Sequence, residues 1–244
     1  MANNYFDARI ATTMRQKWPE LFEPDMIDPV VGLLAELADG GSALELGVGT
    51  GRIALPLSKR GVPVHGIDLS PDMVAEMRTQ PGADDVTVTV GDFATTEIEG
   101  KFRLAYLVRN TITNLTTQEA QVACFRNVAR HLEPGGLFLI ECYIPALRFL
   151  PPGQTIRPFT TTSTHLGFEE YQFESQIAYS HHYWFDGDQV ETFSAPFRYV
   201  WPSELDLMAQ LAGMSLRHRW ADWLRNPFTD ESDHHISVWE LPTN

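Results

Sequence analysis

The chain has 244 residues, 43% hydrophobic and 20% charged, with 32 acidic against 18 basic side chains and a formal charge of −14. That balance repels a phosphate backbone, and no Lys/Arg cluster with interleaved aromatics offsets it locally, so nucleic acid is not an expected partner. The apolar content suffices for one large core, while the two cysteines, Cys124 and Cys142, offer neither a zinc set nor a disulfide framework, and no metal is expected.

In chain order, Met1 to Ile10 is polar with no apolar signal core, and no apolar run reaches transmembrane length. A soluble, cytoplasmic protein without a membrane partner is expected. From Asp25 to Ala38, residues Met26, Val30, Leu33, Leu34 and Leu37 recur at helical spacing and stop at Gly40-Gly41, which reads as a helix feeding a first strand. Strands predicted near 43–46, 62–67, 86–90, 103–108 and 137–143 alternate with helices near 51–59, 71–78 and 117–132, the pattern of an α/β, doubly wound parallel sheet. Ser70-Pro71 reads as the cap and first turn of one helix, and Thr116 with Glu119 as a capping box for another. Glu133-Pro134-Gly135-Gly136 then stops that helix and turns into the fifth strand.

After Tyr143 the helical period disappears. Between about Ala146 and Val200 β-branched and aromatic residues dominate, and Phe185-Asp186-Gly187-Asp188 reads as a hairpin turn, so an antiparallel β insertion is predicted after the fifth strand. A helix near 202–212 and strands near 214–220 and 234–240 then complete a Rossmann-like, seven-stranded, mostly parallel sheet with a reversed last strand. The expected organisation is residues 1–145 as N-terminal helices and cofactor-binding half, 146–200 as a β lid, and 201–244 as the last helix and two strands of the same sheet.

The most informative segment is Glu45-Leu46-Gly47-Val48-Gly49-Thr50-Gly51, followed by a second strand ending in Asp68. Alternate glycines leave no Cβ over the turn, so backbone N–H groups can approach a ligand, and an acid at the tip of the adjacent strand can accept hydrogen bonds from both ribose hydroxyls. A dinucleotide loop needs a later third glycine, where Arg52 stands here, and Glu45 at the base of the loop repels phosphate while favouring an ammonium group. No Gly-Lys-Ser or Gly-Lys-Thr follows, which excludes a nucleoside triphosphatase loop.

Taken with G-I-D-L-S-P-D-M, V-T-V-T-V-G-D-F, L-A-Y-L-V-R-N and L-E-P-G-G-L-F-L-I-E, in this order between Ala43 and Tyr143, the loop resembles the class I S-adenosylmethionine-dependent methyltransferases. The resemblance implies S-adenosylmethionine as cofactor, with Glu45, Gly47, Gly49 and Gly51 at its methionine end and Asp68, Leu69 and Met73 along the nucleoside. It also implies Asp92 and Phe93 at the adenine, Arg109, Asn110 and Thr111 beside the methyl group, and Tyr5 on an N-terminal segment folded over the cofactor.

Substrate choice is expected in the lid. Strand alternation puts His181, Tyr183 and Phe185 on one face and His182 and Trp184 on the other, so one histidine can face the cleft. His181, His182 and His165 are the candidate general bases, at most one of them acting, and Asn110, Tyr143, Tyr171 and Trp184 the candidate acceptor contacts. The implied activity is in-line methyl transfer to an O or N atom of a small molecule. Two alternatives stand beside it: an NAD(P)-dependent oxidoreductase and a catalytically silent S-adenosylmethionine-binding regulatory module. Monomer and homodimer are both open.

Overall fold

The structure, a computed structural model, describes residues 5–243; the first four residues of the expected N-terminal unit and the last of the C-terminal one lie outside the described residues. Five strands follow the predicted parallel order: β1 (Ala43–Leu46), β2 (Val64–Asp68), β3 (Val86–Val90), β4 (Phe102–Leu107) and β5 (Leu132–Tyr143). With β10 (Ser215–Trp220) and β11 (His234–Glu240) they form a seven-stranded sheet in the order β10-β11-β5-β4-β1-β2-β3. Pairings among β1 to β5 are parallel, and β11 runs antiparallel to both β5 and β10. Chain order reverses direction between β1 and β4, so a crevice opens above their carboxyl ends, where open α/β sheets bind ligands.

Helices cover both faces because every residue of β1 is buried and one face cannot shield it. On one side α2 (Pro24–Ala38) and α3 (Ala54–Lys59) bury Val31, Leu34 and Leu57 against the sheet. On the other, α5 (Gln118–His131) and α6 (Pro202–Leu211) pack Phe125, Val128, Leu205 and Met208 beside Phe138 and Trp239. Phe125 stands edge-on to both of those rings at centroid distances of 5.0 and 5.5 Å. At the tip of β2, Ser70 accepts the Met73 N–H at 3.3 Å and opens α4 (Pro71–Arg78) as predicted.

Three local expectations change. Helix α5 is capped by Thr117, whose Oγ1 accepts the Ala120 N–H at 3.1 Å, and not by Thr116. Residues 51–53 remain in the glycine turn, so α3 starts only at Ala54. Glu133-Pro134-Gly135-Gly136 lies inside β5, bulged out where the register jumps from Phe102↔Leu132 to Leu104↔Leu137. Ahead of α2, the polar N-terminal stretch forms a helix, α1 (Ala8–Lys17), capped by Asp7, which accepts the Ile10 N–H at 3.0 Å. Its apolar stripe is short, and most of what it packs against lies far away in the chain.

That distant partner is a separate four-stranded antiparallel sheet: β6 (Ile156–Thr161), β7 (His165–Gln172), β8 (Ile177–Asp186) and β9 (Gln189–Arg198). Gly187 and Asp188 close the β8–β9 hairpin, with Asp186 paired to Gln189. Fully buried Ile10 packs against Phe193 and Ala195 of β9. At the other end of β9, buried Arg198 donates to Gln121 at 2.5 Å, Glu204 at 2.6 Å and Gln176 at 2.9 Å, which fastens the lid to α5 and α6. Among the described residues, no helix is long and apolar enough to cross a membrane.

Candidate active site

A cavity of about 310 Å³ lies over the carboxyl ends of β1, β2 and β4, under Ala195, Pro196 and Phe197 of β9, with Tyr5, Phe6 and Met14 closing one side. The glycine turn forms its floor. Gly47, Gly49 and Gly51 have φ of 77°, 55° and 77°, and the N–H groups of Gly47 and Val48 donate to Ile67 O at 2.7 and 3.1 Å, folding the turn back onto β2. A Cβ on Gly47 would lie 2.5 Å from Thr111, so this glycine lets the tips of β1 and β4 approach. A Cβ on Gly51 would instead meet Met77 at 2.8 Å and Leu55 at 2.9 Å. Gly51 therefore stands behind the cavity and serves helix packing.

Two carboxylates face the cavity in different states. Asp68 Oδ2 accepts the Gly49 N–H at 2.7 Å and Oδ1 the Ser70 N–H at 2.9 Å. Burial raises its pKa while these two N–H groups oppose the rise, and each oxygen keeps a lone pair for a further donor. Glu45 is 2% exposed and its Oε2 accepts the Tyr106 hydroxyl at 3.0 Å; burial pushes its pKa up to about 8. Beside it, Arg52 donates to Leu21 O at 3.3 Å, and burial lowers its pKa. Thr50 Oγ1 is buried with no hydrogen-bond partner among the described residues. Asp92 and Phe93 line the far end, where Asp92 Oδ1 accepts the Ala94 N–H at 2.9 Å.

At the tip of β4 the backbone is strained. Arg109 and Asn110, neither a glycine, have φ of 59° and 61°, which costs on the order of 1–3 kcal/mol each. The neighbouring strand holds them there. Glu141 Oε2 accepts the Arg109 N–H at 2.7 Å, Glu141 O accepts the Asn110 N–H at 3.2 Å, and Asn110 Oδ1 accepts the Tyr143 N–H at 2.6 Å. The other carboxylate oxygen of Glu141 accepts the Trp223 indole N–H at 3.2 Å.

Several residues singled out from sequence lie away from the cavity lining: Tyr143, Tyr171, Trp184 and the three histidines. Tyr143 reaches it only through Arg109, whose Nη1 donates to the Tyr143 hydroxyl at 2.5 Å. Tyr171 donates to Glu169 and packs with Tyr199, Leu147 and Leu150. The two faces of β8 alternate as predicted, but the inner one meets α1 where the sequence reading put the cleft. His182 and Trp184 stand edge-on to Trp18 at 5.8 and 5.5 Å, and His165 Nε2 lies 3.0 Å from His182 Nδ1. Burial, reinforced by His165 and Lys17, lowers the His182 pKa to about 4. On the outer face, His181 Nδ1 lies 2.8 Å from Ser194 Oγ.

A family model described as a methyltransferase domain matches residues 43–136. The cypemycin N-terminal methyltransferase of a Streptomyces species is 32% identical over 126 residues, 50% of this chain and 51% of that protein. The dTDP-3-amino-3,4,6-trideoxy-alpha-D-glucopyranose N,N-dimethyltransferase of Streptomyces venezuelae is 29% identical over 103 residues, 42% and 43% of the two chains. The matched stretch spans about half the length of these curated relatives, or less. Among solved structures, the CcbJ methyltransferase of Streptomyces caelestis is 34% identical with a TM-score of 0.80, covering 88% of each chain. The chain belongs to the class I S-adenosylmethionine-dependent methyltransferases. Membership sets aside the dinucleotide oxidoreductase reading and makes S-adenosylmethionine the cofactor of this methyltransferase.

The cavity fits that cofactor on its own terms. The methyltransferase has a turn that a Cβ would fill, a buried acid beside the turn, an acid with spare lone pairs at the β2 tip, and an orphaned Thr50 hydroxyl. Thr50 and Arg52 sit in or next to the motif that identified the loop, so their spacing could have marked them. Glu141 ends the L-E-P-G-G-L-F-L-I-E segment, which marked its position; Trp223, Phe6 and Met14 carried no such signal, because each acts on a partner distant in the chain.

Proposed function

We propose that this methyltransferase moves the methyl group of S-adenosylmethionine to an amine nitrogen of a small acceptor held between the tip of β4 and strand β9. In this assignment Asp68 binds the ribose, Asp92 and Phe93 the adenine, Glu45 the ammonium and Arg52 the carboxylate of the methionine part. When bound, the cofactor supplies a methyl carbon activated by the sulfonium charge. The chain's own work is to align the acceptor and exclude water, and Tyr5, Phe6 and Phe197 supply the apolar walls for both.

One observation carries the choice of nitrogen. Beyond the glycine turn the described lining offers Arg109, Asn110, Asn114, Leu115 and aromatic rings and holds no imidazole or lysine; its carboxylates, Glu45, Asp68 and Asp92, are all assigned here to the cofactor, and Glu141 lies outside the lining with its oxygens on the Arg109 and Trp223 N–H groups. A neutral amine attacks without losing a proton first, whereas a hydroxyl needs a base. His165, His181 and His182 receive no base role in this reading. The two curated relatives described above bear names that specify nitrogen or an N-terminus as the methylated position, in agreement with it.

The test is a methyl-transfer assay with labelled S-adenosylmethionine on matched amines and alcohols. Amines should be methylated with kcat/KM about a hundredfold or more above their alcohol twins, the scale of general-base assistance that the alcohols lack. Faster methylation of the alcohols overturns the nitrogen assignment. Cofactor binding with no turnover on any acceptor supports the silent regulatory module instead.

A further inference from the structure

We propose that Arg109 recognises an anionic group, a carboxylate or a phosphate, carried by the acceptor; this rests on the amine-acceptor reading above. Two guanidinium groups line the cavity, Arg52 and Arg109, and among the described residues no carboxylate lies within ion-pair distance of either. The cofactor brings one carboxylate. Arg52 is the one placed for it, since it stands beside Glu45 next to the glycine turn and is shielded from water. Arg109 is exposed at the rim and is left for a second anion.

The backbone says that this guanidinium is aimed. Two consecutive left-handed residues that are not glycine persist only where neighbours over-determine them, and three hydrogen bonds to β5 do so here. The side chain is fixed as well: Nη1 donates to the Tyr143 hydroxyl at 2.5 Å, and the guanidinium carbon lies 5.9 Å from that ring's centroid. Most of its five N–H donors remain available in the planar fork that matches carboxylate and phosphate oxygens. Of the nearby acids, Glu141 spends its oxygens on the Arg109 and Trp223 N–H groups, and Asp233 is engaged with His234 at 2.6 Å. A chain of formal charge −14 repels an anionic acceptor at long range, so a local cation is required to seat one.

The experiment uses the full chain saturated with demethylated cofactor, which removes cofactor occupancy as a variable. Calorimetry compares glucosamine 6-phosphate with glucosamine, and phenylalanine with phenylalaninamide; the pair that shows the preference identifies phosphate or carboxylate as the group read. The anionic member of one pair should bind about tenfold or more tightly than its twin, the usual worth of a hydrogen-bonded charge. Arg109→Met should erase that preference, while Arg109→Lys, which keeps the charge without the fork, should retain part of it. Equal binding of both twins in each pair, or a preference that survives in Arg109→Met, overturns the proposal. An Arg109-dependent preference without methyl transfer to any amine leaves the anion site standing and overturns the amine-methylation reading.

Discussion

Replacing Glu45 by glutamine should stabilise the cofactor-free protein at alkaline pH and weaken cofactor binding, two effects of opposite sign from one buried carboxyl. Burial raises the Glu45 pKa from 4.5 to about 8. The unfolded chain therefore gives up this proton at lower pH than the folded one, and folded stability falls as pH rises from the first value through the second. Within that window the slope approaches ~1.4 kcal/mol per pH unit, so between pH 6 and pH 8 the wild-type protein should lose about 2 kcal/mol from this group. Glutamine keeps an acceptor for the Tyr106 hydroxyl and carries no charge, so the variant lacks the slope. In a chain of this size ~2 kcal/mol corresponds to about 4–8 °C in Tm. Thermal melts of both proteins at the two pH values give the comparison, and the variant's advantage should grow by that amount at pH 8. Saturating S-adenosylmethionine, whose ammonium is proposed to pair with the ionised acid, should restore the wild-type protein at pH 8 and do little for Glu45→Gln. Melting curves that stay parallel across both pH values refute the buried, protonated carboxyl.

Asp68→Ala removes the acceptor proposed for the two ribose hydroxyls and frees the Gly49 N–H; calorimetry should show cofactor affinity lower by about a hundredfold, or ~3 kcal/mol. Ile10→Ala opens a cavity where α1 meets β9, and chemical denaturation should register a loss of ~2–4 kcal/mol. His182, with its pKa depressed by burial to about 4, contributes stability that is present above its unfolded value of 6.5 and is lost as pH falls toward 4. His182→Phe should accordingly flatten the acid limb of the melting profile by ~2–3 kcal/mol, and an unchanged acid limb would refute the assignment. Glu141→Gln leaves either the Arg109 N–H or the Trp223 indole without its acceptor; kcat should drop about tenfold or more, with cofactor affinity unchanged in calorimetry.

Features set by short spans were legible in the sequence. The strand, glycine turn and acid that place Glu45, Gly47, Gly49 and Asp68 around one cavity span 24 residues, and the strand alternation that orders the sheet is a local periodicity. The β8–β9 hairpin was legible for the same reason, since Gly187-Asp188 carries its own turn geometry. What distance in the chain decides was not. Helix α1 is polar on most sides and is held by Phe193 and Ala195, more than 180 positions from Ile10, so its bounds and its packing on β9 were not readable from its own residues. The alternation of His181 and His182 was readable, but which of them meets the cleft depended on α1, and neither does. Glu141 and Trp223 meet across 82 positions, and only the folded sheet brings them to the strained tip of β4.

The two ends of β9 are fastened by different means. At Arg198 a buried guanidinium joins two helices and a turn, while at Glu191 the exposed tie to Arg9 is worth little and the tie to Lys17 comes from a largely buried ammonium that also lies 4.0 Å from the Trp184 ring centroid. A ten-residue N-terminal helix is thus at once a wall of the cavity, through Met14, and a clamp on its roof, through Ile10.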